Sequence, residues 1–408
     1  MKKLSYPKNK INVLLLEKID RIAFDIFRDE GYNVECMDGS LNEEELSEKI
    51  KNISIIGIRS KTKITKKVIK SANKLLAIGA FCIGTNQINQ NECSESGVVV
   101  FNAPYSNTRS VVEMVIAQMI NLMRKITYKS NMMHSGVWMK DSIDSFEIRN
   151  KTIGIIGYGN IGSQLSVLCE ALGMKVLYYD ILDKLSIGNA KKCKKISDIL
   201  KESDIISLHV DGRKSNTDLI GEKEFSLMKK NSILINYSRG NVVNINSLIK
   251  NIKNRKLIGA ALDVFPDEPS NNNENFVSKL QGMDEIILSP HIGGSTKEAQ
   301  KNIGNYVPEK IIDFINNGST SSSVNFPKLN LPEQSNSHRL IHIHKNEPGV
   351  MLEINKIISN YNINIKGQYL KTNENIGYVI TDINSQYNNE VVKSLKNISA
   401  TIKIRVLY

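Results

Sequence analysis

The stretch KTIGIIGYGNIGSQLSVLCEALGMKVLYYD, residues 151–180, restricts the fold more than any other part of this chain. An apolar run leads into Gly157, Gly159 and Gly162, spaced G-x-G-x-x-G, and a helix-forming segment follows at once. A second apolar run, KVLYYD, ends on the acid Asp180. That succession reads as strand, tight turn, helix and strand, a parallel βαβ unit. Each glycine meets its own steric demand. The first turns the chain, the second lets backbone approach a bound group, and the third lets helix and strand pack closely. The helix N-terminus then offers N–H groups and positive potential to a pyrophosphate. Asp180 stands 18 positions beyond Gly162, where it can bond ribose hydroxyls and repel a 2′-phosphate, so NAD is expected rather than NADP. A glycine turn in a nucleotide-free α/β fold would carry the same three glycines. The flanking strands, the helix and the terminal acid set this one apart.

The rest of the chain alternates in the same way, twice over. Before the glycine loop come the apolar runs INVLLLE (11–17), GYNVECMD, SIIGIRS (54–60), KLLAIGAFCIGT (74–85) and GVVVFNAP (97–104). After it come DIISLHV (204–210), SILINYSRG (232–240), LIGAALDVF (257–265) and EIILSPHIGG (285–294). Short Ile/Val/Leu runs separated by amphipathic stretches predict parallel sheets covered by helices, hence two doubly wound α/β domains. The segment 110–125 lacks Gly and Pro and predicts a long, largely buried helix, with Asn107 or Thr108 as its cap. Residues 319–337 are rich in Ser, Asn and Pro and suit a linker. Beyond it the order β, α, β, β, α, β predicts a small ferredoxin-like domain. The first half has no glycine fingerprint, so only one half is expected to bind a dinucleotide.

Composition narrows the function. The formal charge of +12 raises the question of nucleic acid, but the lysines are scattered among Asn and Ile rather than gathered in a stripe. No nucleic-acid partner is expected. No apolar run reaches the ~18–20 residues that span a bilayer, and the N-terminal run ends at Glu17, too short for a signal peptide. The five cysteines, Cys36, Cys82, Cys93, Cys169 and Cys193, form no C-x-x-C pair, as expected for reduced thiols in the cytoplasm.

Three later strand ends carry polar residues: Arg239 in NYSRG, Asp263 and Glu268 in DVFPDEP, and His291 in SPHIGGS. In a doubly wound sheet such ends border the ligand crevice. Oxidising a hydroxyl by hydride transfer needs a base for the hydroxyl proton and a cation for an adjacent carboxylate. His291 supported by Glu268 meets the first need. Arg239, through its planar donor fork, meets the second. Taken singly, a surface Arg, an exposed Glu beside Pro269 or a capping His would be unremarkable; the combination carries the reading.

These motifs, with RSKT, AIGAFCIGTNQI, VFNAPYSNTRSV, HSGVW and VNFP, resemble the D-2-hydroxyacid dehydrogenase family, in its phosphoglycerate-oxidising branch with a terminal ACT domain. The likeness runs from near residue 10 to Tyr408. It implies two Rossmann-like domains and a ferredoxin-like ACT domain. The substrate domain would be discontinuous, 1–107 and 295–325, around an NAD-binding domain at 108–294, with a linker at 326–337 and the ACT domain at 338–408. It implies that Arg239, Glu268 and His291 are catalytic. Gly157, Gly159, Asn160, Ile161, Gly162, Asp180, Tyr237, Ser238, Arg239, Asp263, His291, Ile292, Gly293 and Gly294 would contact NAD. Arg59, Lys61 and Lys140, the last reaching from a neighbouring subunit, would hold the substrate phosphate. The family reaction oxidises 3-phosphoglycerate to 3-phosphohydroxypyruvate in L-serine biosynthesis, with 2-oxoglutarate reduction as a side activity. A cytoplasmic homotetramer is implied. Trp138, the only tryptophan, lies in a polar stretch and reads as an interface anchor, with a local core residue as the alternative.

Half of the six histidines fall within seven residues, at His338, His342 and His344. No third or fourth ligand with metal spacing accompanies them, so no metal is expected. His342 and His344 alternate on a strand candidate, and His338 just upstream reads as linker. The resemblance assigns His344, Asn346 and Asn364 to L-serine, held between paired ACT domains. Four departures from the family stand out. Lys61 replaces an Arg, Tyr237 a small residue near the nicotinamide, and Asn244 an Asp, while Ser335–Asn336 occupy a hinge that can hold a glycine pair. Two other readings stay open: a dehydrogenase of another D-2-hydroxy acid, and a non-catalytic NAD-sensing protein.

Overall fold

The computed structural model describes residues 6–269, 273–332, 337–384 and 389–407, so the Ser335–Asn336 hinge lies outside the described residues. The chain divides into two compact units, one formed by Met1–Ser106 with Gln300–Tyr408 and the other by Asn107–Ala299.

In the first unit a five-stranded parallel sheet runs in the order Asn33–Cys36, Asn12–Leu15, Ile55–Ile58, Ala77–Ala80 and Val99–Asn102. The inner strands Ile55–Ile58 and Ala77–Ala80 are apolar and buried at every position because both faces are covered. One face packs Leu14, Ile56, Val68, Ile78 and Val100 into a core of their own. The other meets Val307, Ile311 and Phe314 from the helix Lys297–Asn317.

The same unit holds a four-stranded antiparallel sheet in the order Ile365–Thr372, Ile376–Ile383, His338–Lys345 and Thr401–Leu407. With the helices Val350–Asn360 and Asn389–Lys396 this is the expected ferredoxin-like arrangement. Alternation along the strands sends successive side chains to opposite faces. Leu340 and Val379 join the helices Val350–Asn360 and Asn389–Lys396 in one cluster. Ile341, Ile343, Tyr378 and Ile380 enter the same core as Phe101 and Phe314, so this sheet does not stand apart behind a linker. His338 opens the strand and pairs with Ile383, a correction to its expected place in the linker.

One ion pair is buried within that junction. The Arg339 side chain is 0% exposed and donates to both Asp382 oxygens, at 2.7 and 2.8 Å. It donates further to the carbonyls of Asn317 and Pro332, at 3.0 and 2.9 Å. A buried guanidinium is tolerated only when its donors are met in this way.

In the second unit seven strands form a parallel sheet in the order Ile286–Leu288, Leu257–Leu262, Ser232–Asn236, Ile205–Leu208, Thr152–Ile156, Lys175–Tyr179 and Lys191–Lys192. Successive strands are added to one side of Thr152–Ile156 and then to the other. The order therefore switches between Thr152–Ile156 and Ile205–Leu208, where such sheets open a ligand crevice. The two-residue strand Lys191–Lys192 was not expected, because two exposed lysines carry no apolar signature. The helix Thr108–Arg124 buries Val111, Val112, Val115, Met119 and Leu122 against the sheet, with Asn107 in the cap position but making no side-chain cap bond. The unit's two ends meet: Ser110 Oγ and Thr296 Oγ1 share a hydrogen bond of 2.8 Å.

Asp382→Ala removes the partner of a charge that stays buried. It is expected to cost about 3–5 kcal/mol of stability, read as a lower urea midpoint; the double change Arg339→Met, Asp382→Leu should cost less. Equal midpoints for the parent and Asp382→Ala would refute this.

Candidate active site

The glycine loop sits at the switch point. Gly157 adopts φ +94°, and a Cβ there would lie 2.5 Å from the His209 carbonyl oxygen. At Gly162 a Cβ would lie 2.2 Å from the Gly157 carbonyl oxygen, so helix and turn close only over glycine. A Cβ on Gly159 would meet nothing within 4 Å, so that backbone faces open space. Gly159 also caps the helix Asn160–Ala171 without a side-chain acceptor, which leaves first-turn donors for an anion. The Asp180 carboxylate accepts from Tyr158 N and Leu182 N, each at 2.8 Å, and this holds the acid at the end of its strand. These features fit a dinucleotide.

The strand Ser232–Asn236 leads into Arg239. Asn236, fully buried, braces the turn: its Oδ1 accepts from Ser238 N at 3.1 Å and Ser238 Oγ at 2.7 Å, and its Nδ2 donates to the Arg239 carbonyl at 3.0 Å. A Cβ on Gly240 would fall 2.0 Å from the Phe265 carbonyl carbon, so the SRG turn can press against the segment leading to Glu268. Arg239 is half-buried.

His291 lies beyond Ile286–Leu288 with φ 53°. Its Nδ1 is 2.8 Å from Glu268 Oε2, and Glu268 Oε1 accepts from Phe265 N at 3.0 Å. The hydrogen bond to Glu268 raises the His291 pKa above its ordinary value, against burial, which lowers it. Burial alone would raise the Glu268 carboxyl. The His291 hydrogen bond, the Phe265 N–H and the nearby His291 and Arg239 charges together hold it below the usual range. With Nδ1 committed to Glu268, Nε2 is the nitrogen left to exchange a proton with a ligand.

Asp263, 2% exposed, is engaged by the protein itself. Its Oδ1 accepts from Ser289 Oγ at 2.5 Å and Ile292 N at 2.9 Å, and its Oδ2 from Gly293 N at 2.7 Å. Tyr237 lies beneath this turn: a Cβ on Gly293 would be 3.0 Å from the ring. Its hydroxyl is 3.3 Å from Ser289 Oγ, and burial pushes the phenol up to about 12. The larger residue thus fills the core of the unit. Asn244 caps the helix Ile245–Lys253 through Ser247 N at 2.9 Å, while its Nδ2 reaches Asp218 Oδ1 at 3.3 Å, a donor contact that Asp could not make.

The sequence reading missed Asn236, Ser289 and His209. His209 is half-buried, its Nε2 2.8 Å from Ser207 Oγ, and burial of the ring pushes its pKa down to about 3. Their one signal is a polar residue at the end of an apolar run.

In the other unit, Arg59 and Lys61 follow the strand Ile55–Ile58, half-buried and exposed respectively. In the nucleotide unit Lys140 is exposed, and Trp138 is 72% exposed, which excludes a local core role. The His344 ring is buried over Gly377, its Nδ1 2.6 Å from the Lys345 carbonyl and its Nε2 without a hydrogen-bond partner. Asn346 donates to the Asn373 carbonyl at 2.8 Å near the same end of the sheet. Asn364 lies at the opposite end, where Ile365 pairs with Ile383 while His344 pairs with Gly377. Six residues of strand separate the two ends, roughly 20 Å. One chain therefore does not bring the three together. His342 bonds Thr401 Oγ1 at 2.8 Å, and burial, aided by the His344 charge, pushes its pKa down to about 4. Among the described residues no group of three or more His, Cys, Asp or Glu side chains is arranged to hold a metal ion. Nor is any helix among them long and apolar enough to cross a membrane.

Residues 116–293 match the NAD-binding domain of the D-isomer specific 2-hydroxyacid dehydrogenases, and residues 340–403 match the AHAS small subunit-like ACT domain. The chain is 48% identical to a D-3-phosphoglycerate dehydrogenase of Dictyostelium discoideum over 404 residues, 99% of each chain. It is 47% identical to that of Escherichia coli strain K12, covering 100% of each. Among solved structures, a D-lactate dehydrogenase from Aquifex aeolicus complexed with NAD and lactic acid superposes with a TM-score of 0.68 at 25% identity, over 78% of this chain and 100% of that one. An NAD-complexed D-isomer specific 2-hydroxyacid dehydrogenase from Lactobacillus delbrueckii ssp. bulgaricus does so with a TM-score of 0.67 at 26% identity, over 77% and 100%. The chain therefore belongs to the D-isomer-specific 2-hydroxyacid dehydrogenase family, in its D-3-phosphoglycerate dehydrogenase branch, and is an NAD-dependent oxidoreductase with a C-terminal ACT domain.

Proposed function

We propose that this chain oxidises 3-phospho-D-glycerate to 3-phosphohydroxypyruvate with NAD, the first step of phosphorylated L-serine biosynthesis, and that L-serine regulates it through the ACT domain. The observation that carries the reaction chemistry is the 2.8 Å contact of His291 Nδ1 with Glu268 Oε2, in the unit that also bears Arg239 and the glycine loop. The phosphorylated substrate is favoured by the full-length relatives.

When bound, NAD would supply the acceptor for the hydride leaving the substrate carbon. The chain does the rest. His291 Nε2 takes the hydroxyl proton, and Glu268 stabilises the imidazolium that results. Arg239 holds the substrate carboxylate and polarises the forming carbonyl. Asn160, Ile161 and the three glycines would cradle the pyrophosphate, and Asp180 would hold the ribose. Tyr237, Ser238, Asp263 and residues 292–294 would border the nicotinamide, Asp263 by fixing the turn that carries residues 292 and 293. Arg59 and Lys61 take the phosphate, with Lys140 of a neighbouring subunit. We infer a cytoplasmic homotetramer joined through its nucleotide units and its ACT domains. The exposed Trp138 supports the first contact. The separation of Asn364 from His344 and Asn346 supports the second, since two copies would bring those residues together around L-serine.

The deciding assay follows NADH with 3-phosphohydroxypyruvate and with pyruvate. The phosphorylated acid should turn over far faster, and equal rates would overturn the reading. His291→Ala should lower kcat by about 10²–10⁴-fold while NADH still binds. Oxidation requires neutral His291, whose pKa is raised. Its rate should therefore fall with decreasing pH through a midpoint above about 6.5, and Glu268→Gln should move that midpoint down. A midpoint unmoved by Glu268→Gln would separate the pair. L-serine should bind in calorimetry, and Asn346→Ala should weaken that binding by about tenfold or more; unchanged binding would remove Asn346 from the effector site.

A further inference from the structure

The strand Asn12–Leu15 gives way to Glu17 and Lys18, at φ 65° and 51°. Two consecutive left-handed residues, neither of them glycine, persist only where the surroundings over-determine them, and such backbone gathers at functional sites. Here it accompanies a carboxylate turned inward. Glu17 is 7% exposed, its backbone N–H tied to the Gly39 carbonyl at 3.1 Å. Its Oε2 accepts from Lys61 N at 3.0 Å and its Oε1 from Thr62 N at 2.8 Å.

The same loop is held at its other end by an amide. Gln87 Nε2 donates to the Arg59 carbonyl at 2.6 Å, with longer contacts of 3.4 Å to the Gly84 carbonyl and to Cys82 Sγ. Within the loop 59–62 both braces grip backbone atoms. Ser60 and Lys61 stay exposed and Arg59 half-buried, while Thr62 is sealed beneath them.

We propose that Glu17 and Gln87 are positioning residues that clamp the loop 59–62, so that Arg59 and Lys61 are set for the substrate phosphate before it arrives. The inference rests on the assignment of those two cations to the phosphate. A loop ordered in advance loses less conformational freedom on binding, so the clamp contributes affinity without touching the ligand. It also limits the cost of Lys61: a lysine lacks the bidentate geometry of arginine, and a fixed backbone restores part of the aim.

Glu17→Gln keeps the shape but sets an NH₂ against one of the two N–H donors. The expected result is a KM for 3-phosphohydroxypyruvate raised about tenfold, the scale of one lost charge-assisted hydrogen bond. kcat should stay within about twofold, and NADH affinity and the KM for hydroxypyruvate, the same keto acid without the phosphate, should be unchanged. Gln87→Ala should give the same split, and it decides the matter if Glu17→Gln does not fold. A KM that does not move, or one that rises equally for both keto acids, would overturn the proposal. Arg59→Ala and Lys61→Ala separate the two levels of inference. If they leave the ratio of the two KM values at that of the parent, the phosphate assignment is wrong. If they shift the ratio while Glu17→Gln and Gln87→Ala do not, only the clamp is wrong.

Discussion

The geometry of the nucleotide unit's chemistry depends on one buried carboxylate. Asp263 accepts from Ser289 Oγ and from the N–H groups of Ile292 and Gly293, three donors drawn from a single turn. That turn carries His291, whose left-handed backbone would be costly without such a tether. With the turn fixed, the imidazole meets Glu268, and Glu268 is itself fixed by the Phe265 N–H. The alignment of base and supporting acid therefore comes from backbone hydrogen bonds to acids, not from contacts between side chains alone. Low exposure of Asp263 strengthens its own bond to the buried Ser289, because water cannot compete there for the same donor.

The same device recurs in the other unit. Glu17 grips two N–H groups of the loop that bears Arg59 and Lys61, as Asp263 grips the turn that bears His291. In both cases a buried acid accepts hydrogen bonds from the backbone of a loop or turn that carries exposed polar side chains. Chemistry-bearing side chains need a fixed backbone more than they need neighbours.

The glycine loop and the parallel strands were legible from sequence because each leaves a local imprint: three glycines at fixed spacing, and apolar runs between amphipathic ones. Arg239, Glu268 and His291 were legible because polar residues at strand ends are conspicuous. The bracing shell was not. Ser289 and Glu17 act through partners 26 and 45 positions away, with nothing near them in the chain to mark the pairing, and Asn236 braces its own turn as a lone polar residue closing an apolar run. The shared core was hidden for a related reason. The run HRLIHIHK shows that alternate residues are apolar, which fits a sheet with one covered face, but not that Ile341 and Ile343 meet Phe314. Nor did the motif around His344 reveal that Asn364 lies at the far end of the sheet; only strand register gives that.

The hydrogen bond between Ser110 and Thr296 has a consequence for how the chain finds its structure. The core of the first unit joins residues such as Val13 and Leu407, nearly the whole sequence apart. Closing so long a loop is entropically unfavourable and slow. Once Asn107–Ala299 has folded, its ends stand side by side, and that whole segment becomes a short splice between the two parts of the other unit. Contacts remote in sequence become near neighbours along the remaining chain. The entropy of loop closure therefore favours assembly of the nucleotide unit first and of the discontinuous unit afterwards.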